Sequence, residues 1–344
     1  MIPQGIKFSL KTFFRKKKNF WQPDIGENHF YLSRSSWAIL TICLLKIRQI
    51  NRQILNVYIP EYFCIDPILL IDQQNINICY YPIDKQFKPD LTKLNLLTQK
   101  SKPDIFLVVH YFGKPTIINE IKNLCLKFNS WYIEDATHCL KKDKIIGKQG
   151  DFVLFSHYKH LALPNGALMI SRSDGPSKLK KEFYENFDIN SFLRNEIPKL
   201  DLDKRIISND IFFTLKWFLK KLFLNLIARS RIFADYNQKK YFEALDNDPV
   251  LKLGSYKISA LSKFLIPRND LVQISNLKKR NFNIFKEILG LKYSPHQNFD
   301  LKQNYSSFIP YLFPVEIKDR DELQRLIEKG FPIIRWPIFN KSNK

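Results

Sequence analysis

Residues that could do chemistry stand directly after two short apolar runs. Asp135 and His138 end the segment Trp131-Tyr-Ile-Glu-Asp-Ala-Thr-His138, and Lys159 follows the run Phe152-Val-Leu-Phe155. A carboxylate in such a position can hold a proton on a heterocyclic ring nitrogen, whereas a lysine among cationic neighbours loses proton affinity and becomes a nucleophile. Taken alone, however, Asp135 also suits a capping or turn position and Lys159 a solvated surface charge, and a lowered pKa is expected for Lys159 only if it lies in a cleft with cationic neighbours.

The pattern around these residues predicts how they are brought together. Short β-rich runs alternate with helical stretches from Trp37 to about Ile170, which indicates an α/β fold with a mostly parallel sheet. The predicted strands are 54–59, 76–81, 105–110, 131–134, 152–155 and 167–170, with helices at 38–46 and 117–128. Ligands bind beyond the carboxyl ends of the strands in such sheets. The residues expected at that edge are 60–64, 111–113, 135–138 and 156–160.

The remainder of the chain predicts a second, smaller domain. Residues 176–248 are Lys-rich and read as helical, and a β-α-β pattern follows near the end of the chain. Its predicted elements are a strand at 311–317, a helix at 319–329 and a strand at 331–334. We expect a large domain over 1–250 and a small C-terminal α/β domain over 251–344.

Composition limits the classes of function. The formal net charge is +22, but lysines are spread through every segment, so no nucleic-acid partner is expected; a positive field also suits a small anionic substrate. The five cysteines form no CxxC pair and no cluster with histidine, which predicts reduced thiols in a cytoplasm and no metal site. The basic run 15–18 precedes no continuous apolar stretch, so no cleaved signal peptide is expected.

The most apolar stretch, 211–228, is interrupted by Lys216, Lys220 and Lys221. Charges at this spacing make a membrane span costly and predict an amphipathic helix. Peripheral membrane contact through this helix is the less favoured alternative.

A collinear set of motifs gives the chain a family resemblance. The motifs are Ser35-Ser-Trp-Ala-Ile39, Val57-Tyr-Ile-Pro-Glu-Tyr-Phe-Cys64, His110-Tyr-Phe-Gly113, Ile133-Glu-Asp-Ala-Thr-His138, Ser255-Tyr-Lys-Ile-Ser259, Phe313-Pro-Val315 and Arg335-Trp-Pro337. In this order they resemble the DegT/StrS family of fold-type I enzymes, which depend on pyridoxal 5'-phosphate (PLP). Most members aminate keto groups of nucleotide-linked sugars for polysaccharide or related amino-sugar biosynthesis.

The resemblance implies roles for the central residues. Lys159 would bind the cofactor covalently and then move the proton between the substrate carbon and the cofactor. Asp135 would pair with the pyridinium nitrogen, and His138 would lie near the phenolic oxygen or the ring face. Ser36 and Ser156 would hold the phosphate near a helix N-terminus, together with the backbone of Trp37.

The resemblance also implies partners and a quaternary structure. Tyr62 or Phe63 would stack on the cofactor ring. The site would lie at a homodimer interface, where Lys257 would reach the cofactor phosphate of the neighbouring subunit. The substrates would be a nucleotide-linked keto sugar and an amino donor, for which glutamate is the family's usual choice.

The chain departs from the family pattern at the cofactor loops. Ser35-Ser36 replaces Gly-Thr, and Pro164 and Ala167 replace glycines. Ser156 precedes Lys159 by three residues rather than five, so an alignment anchored on this serine would put Leu161 at the lysine position. The downstream segment 165–167 falls on the family's Glu-Gly-Gly only when Lys159 is the lysine, which favours Lys159.

Two other functions compete with amino transfer. Family members that dehydrate sugars carry histidine in place of the lysine, and His157 and His160 flank Lys159. The altered glycines and the helix over 211–228 favour a non-catalytic scaffold in a polysaccharide pathway.

Overall fold

A seven-stranded sheet lies at the centre of the computed structural model. The structure describes residues 9–18, 20–50, 54–72, 75–116, 119–179, 187–200, 210–227, 254–289, 308–314 and 319–328. Its strands are β1 (Glu27–Leu32), β2 (Leu55–Pro60), β3 (Ile76–Tyr81), β4 (Ile105–Val109), β5 (Trp131–Asp135), β6 (Phe152–Phe155) and β7 (Ala167–Arg172). Their order is β1-β7-β6-β5-β4-β2-β3, and β7 runs antiparallel to both of its neighbours. The predicted α/β fold with a mostly parallel sheet is confirmed.

Helices cover both faces of this sheet. They are α1 (Ser35–Ile50), α2 (Ile65–Ile71), α3 (Leu91–Lys100), α4 (Asn119–Phe128), α5 (Ile189–Glu196), α6 (Asp210–Ile227), α7 (Ala260–Leu265), α8 (Leu271–Leu289) and α9 (Arg320–Glu328). Leu107 and Val109 of β4 pack into the core that includes α1, whereas Phe106 and Val108 pack against the side chains of α3 and α4. Every residue of β4 is buried because successive side chains point to opposite, covered faces.

The sequence pattern did not predict the edge strand β1, which pairs with β7, or the helices α2 and α3. Helix α6 contains the stretch expected to be amphipathic, and its Trp217 is buried whereas Phe212 is 73% exposed. Within the described part of the chain, no helix has the length and apolar character needed to cross a membrane.

The strand predicted at 311–317 is not found over residues 311–314, the part of it that the structure describes. Segment 308–314 is irregular, and the amide of Tyr311 donates to the carbonyl of Phe112 (2.8 Å) instead of to a strand neighbour. Pro310 and Pro314 supply no amide hydrogen for a strand ladder, which explains the difference. The strand predicted at 331–334, and most of the segment 176–248, lie outside the described residues.

Candidate active site

The ends of β4, β5 and β6 meet at one edge of the sheet, as the parallel pattern predicted. There, Asp135 is the last residue of β5, and Lys159 ends a 3-10 turn, His157–Lys159, just after β6. Lys159 Nζ donates to Thr137 Oγ1 (3.3 Å), and the amide of Thr137 donates to Asp135 Oδ1 (2.9 Å). The two residues that the sequence singled out therefore share one neighbour.

The charge state of Lys159 differs from the expectation. Burial acts to lower its pKa, but electrostatic interactions with Tyr158, Tyr311, Cys64 and Asp135 raise the pKa above its usual value. The lowered pKa expected for a lysine among cationic neighbours is therefore wrong for Lys159.

A stack of rings borders Lys159. His138 lies between Phe112, at 6.0 Å and 19°, and Tyr311, at 4.7 Å and 16°. The amide of Phe112 donates to His138 Nδ1 (3.3 Å), so this nitrogen is unprotonated. Burial lowers the pKa of His138, with a further lowering by the charge of Lys159, and the ring is neutral at pH 7.

A buried carboxylate anchors the loops behind this edge. Glu134 is fully buried and accepts hydrogen bonds from the amides of Gly147, Gln149 (2.8 Å) and Gly150 (3.1 Å). His110 Nε2 lies 2.8 Å from the same carboxylate. Glu134 of the Ile-Glu-Asp motif is thus a structural residue that fixes the ends of two neighbouring strands.

The residues assigned to the phosphate are placed at one end of α1. Ser36 and Trp37 lie in the first turn of that helix, and the amide of Gly166 donates to the carbonyl of Ser33 (2.7 Å), which joins the helix start to the turn that follows Lys159. Ser156 Oγ is buried and has no hydrogen-bond partner among the described residues. A helix N-terminus and a buried hydroxyl without a partner are each suited to an anion.

The two candidate stacking residues have different environments. Phe63 is 7% exposed and belongs to the main hydrophobic core, whereas Tyr62 packs at its margin. The carbonyl of Tyr62 accepts the Tyr111 hydroxyl (2.7 Å), and their rings are 6.0 Å apart. The next residue, Cys64, interacts electrostatically with Lys159, and burial raises the pKa of this thiol to about 12.

Lys257 lies near the start of α1 in its own chain. Its backbone bridges Leu32 at the end of β1, and its side chain is exposed. Two residues further on, the amide of Ser259 donates to Asn165 Oδ1 (3.1 Å). The segment 255–259 is therefore fixed against the turn that follows Lys159, and the reach of Lys257 toward a second subunit stays a prediction.

The two histidines that flank Lys159 point in different directions. The ring of His157 is 3% exposed and packs against two aromatic rings, with its centroid 4.5 Å from that of Trp21 and 6.1 Å from that of Tyr31. His160 Nε2 lies 3.2 Å from the carbonyl of Thr137, so this ring borders the site without replacing the lysine.

Sequence reasoning missed several side chains of the site. Thr137 lies within the motif that was quoted, so its position was available, but Tyr311 approaches only through the fold. The described residues contain no group of three or more histidine, cysteine or acidic side chains that could hold a metal ion.

The sheet defines an α/β protein, and Asp135 and Lys159 lie together at the carboxyl edge of its parallel strands. By sequence, residues 71–186, about a third of the chain, match the model of the DegT/DnrJ/EryC1/StrS aminotransferase family. The predicted resemblance is confirmed, and the matched family uses PLP. No curated protein matches the chain.

Solved structures also resemble the chain, although none of those compared here is matched over two thirds of its length. The 3-amino-5-hydroxybenzoic acid synthase is 12% identical, with 76% of this chain and 56% of that chain covered and a TM-score of 0.47. A DegT/DnrJ/EryC1/StrS aminotransferase from Brucella abortus is 16% identical (67% and 63% covered, TM-score 0.36). The NtdA protein from Bacillus subtilis, with bound PMP, is 19% identical (44% and 34% covered, TM-score 0.36).

The residues present fit PLP. Ser156 offers a buried hydroxyl without a partner, and Lys159 offers an amine within the same turn region. Asp135 is 4% exposed and uses Oδ1 for the Thr137 amide, so the second oxygen can accept from a ring nitrogen. Lys159, Asp135, Ser156 and Ser36 are the residues that would hold the cofactor.

Proposed function

We propose that this protein is a PLP-dependent aminotransferase that transfers an amino group to the keto group of a nucleotide-linked sugar. The observation that carries the proposal is the arrangement of Lys159 and Asp135 around Thr137 at the carboxyl edge of the sheet. The family match over 71–186, which includes both residues, supports it.

The roles of the side chains follow from their chemistry. Bound PLP supplies an electron sink for the carbanion that forms when a proton leaves the substrate. Asp135 would hold the proton on the ring nitrogen through a charge-assisted hydrogen bond in a site that is largely desolvated. Lys159 would anchor the cofactor, and its amine would accept and return the proton at the reacting carbon of the substrate. His138, held neutral, would lie near the cofactor's phenolic oxygen or ring face.

The proposal also covers the amino donor, the quaternary structure and the location in the cell. Glutamate is the proposed amino donor, and the product serves cell-surface polysaccharide or related amino-sugar synthesis. We include a homodimer with a shared site, to which Lys257 contributes, and a small domain over 251–344. All five cysteines are free, which supports a cytoplasmic location.

Covalent labelling tests the proposal directly. Purified protein should absorb near the band of a lysine-bound PLP, and borohydride should fix the cofactor to Lys159. Peptide mapping after reduction identifies the labelled lysine, and Lys127→Ala, at an exposed position on α4, serves as a control that keeps the label. A label on another lysine, or none, would contradict the assignment and favour a non-catalytic scaffold.

An amino-transfer assay then separates the proposed reaction from sugar dehydration. Dehydration is linked to histidine at the lysine position, but His157 is buried between Trp21 and Tyr31 and only Lys159 contacts Thr137 through an amine. We therefore expect glutamate-dependent transfer to a keto sugar nucleotide. Loss of the sugar hydroxyl without amine incorporation would identify a dehydratase instead.

A further inference from the structure

A second cation lies beside the Lys159 site, and no motif predicted it. Lys278 is on α8, and its Nζ is 5.3 Å from the centroid of the Tyr311 ring. The same ring is 5.1 Å from that of His160, whose Nε2 is 3.2 Å from the carbonyl of Thr137. The hydroxyl of Thr137 in turn accepts from Lys159. Lys278 is therefore part of the group of side chains around Lys159.

The position of this ammonium group is fixed by α8 and the segment 308–314. Phe313 packs on Phe282 of α8, with ring centroids 5.1 Å apart. Residues four apart share one face of a helix. Because Phe282 faces the segment, Lys278, one turn earlier, faces it too.

The charge of Lys278 has no counterpart among the residues that the structure describes. Within these described ranges, no carboxylate pairs with it, and burial lowers its pKa to about 8. The neighbouring His160 is neutral because burial and then the charge of Lys278 lower its pKa. A poorly solvated cation without an anion costs free energy, which an anionic ligand would offset.

We propose that Lys278 binds an anionic group of the substrate, a carboxylate or a phosphate, on the side of the site lined by Tyr311 and His160. The choice of substrate rests on the proposed function, in which the amino donor supplies carboxylates and the nucleotide-linked sugar supplies phosphates. Lys278 determines specificity by orienting the substrate and takes no part in proton transfer.

Binding of two unreactive probes tests this role. Calorimetry measures the affinity of the full chain for glutarate and for UDP in the wild type, Lys278→Met, Lys278→Arg and Lys279→Met. Successive helical residues point about 100° apart, so Lys279→Met removes an equal charge in another direction. We expect Lys278→Met to bind one probe at least about tenfold more weakly, about 1.4 kcal/mol, with Lys279→Met within about twofold and Lys278→Arg between them.

The probe that loses affinity identifies the source of the anion. Wild-type affinity in Lys278→Met, an equal loss in Lys279→Met, or no binding of either probe to the wild type would overturn the inference. Because Lys278→Met removes an unpaired charge, we expect its thermal midpoint to be at least that of the wild type. Borohydride labelling reports on Lys159 alone, so an unlabelled chain with Lys278-dependent binding refutes amino transfer and retains the anion site.

Discussion

The substitution Glu134→Gln probes the buried carboxylate that holds the loops behind the site. Oε1 of Glu134 accepts from the Gly147 amide and faces His110 Nε2, whereas Oε2 accepts from Gln149 and Gly150. The amide of Thr116 donates to His110 Nδ1 (2.9 Å), so Nε2 carries the hydrogen and donates to the carboxylate.

The expected cost follows from the number of donors. Glutamine has one carbonyl oxygen, so in either orientation its NH₂ group faces two hydrogen-bond donors. Each buried donor without an acceptor costs about 1–3 kcal/mol, and we expect a total loss of about 3–5 kcal/mol. Urea unfolding measures this loss. Glu287→Gln, at an exposed position on α8, is the matched control and should change stability by less than about 0.5 kcal/mol.

The pH dependence gives an independent check on the same carboxylate. Burial alone would raise the pKa of Glu134, but hydrogen bonds from His110, Gly147 and Gln149 lower it below its ordinary value of 4.5. The folded state thus binds the proton less readily than the unfolded chain, and the stabilisation is present above pH 4.5 and is lost as pH falls through the folded pKa. The difference between wild type and Glu134→Gln should narrow in acid. A loss below about 1 kcal/mol at pH 7 would refute the reasoning.

Three further substitutions test the site and its support. Asp135→Asn can keep the hydrogen bond from the Thr137 amide through its carbonyl oxygen, so the variant should retain the borohydride label on Lys159. Its rate of amino transfer at saturating PLP should fall at least about a hundredfold, which corresponds to about 3 kcal/mol. Turnover comparable to that of the wild type would contradict the role of Asp135. Burial lowers the pKa of His157 to about 3. As the pH falls, the unfolded chain therefore binds a proton at this histidine before the folded chain does, and the wild type loses stability between pH 6.5 and 3. The loss is about 2 kcal/mol by pH 5. Phenylalanine does not titrate, so His157→Phe should not show this loss when the free energy of unfolding is measured in urea at several pH values. Gly113 has φ +88°, and a Cβ there would collide with the Ile309 carbonyl, so Gly113→Ala should lower the free energy of unfolding by at least about 1 kcal/mol.

Strands buried on both faces were predictable from sequence, and strands at the margin were not. The run Ile105–Val109 is apolar throughout because both faces are covered, so its pattern is unambiguous. Strand β1 begins with Glu27, Asn28 and His29, all partly exposed, and only Phe30 and Leu32 are buried. An edge strand of this kind lacks the alternation that a pattern search requires.

The same distinction applies to the candidate site. Asp135, His138 and Lys159 follow strands whose direction places them at one edge, so their grouping followed from the β/α pattern. Tyr311 contacts His138, and Lys278 contacts Tyr311, although the three residues are far apart in the chain. Nothing in their local sequence encodes such an approach, because it depends on how α8 and the segment 308–314 pack on the sheet.

The glycines missing from the cofactor loops do not by themselves prevent the loops from forming. A glycine is required where φ is positive, and in the turn after Lys159 this is Gly166, with φ +137°. Ala167 begins β7 and Ser35 begins α1, and neither has a positive φ, so a Cβ is compatible with both backbones. The turn around Gly166 is also tied to the neighbouring segment, since the Ser262 hydroxyl donates to the Asn165 carbonyl (2.7 Å). The departures from the family pattern therefore fall where the backbone tolerates side chains, which removes the main structural reason to favour a scaffold over an enzyme.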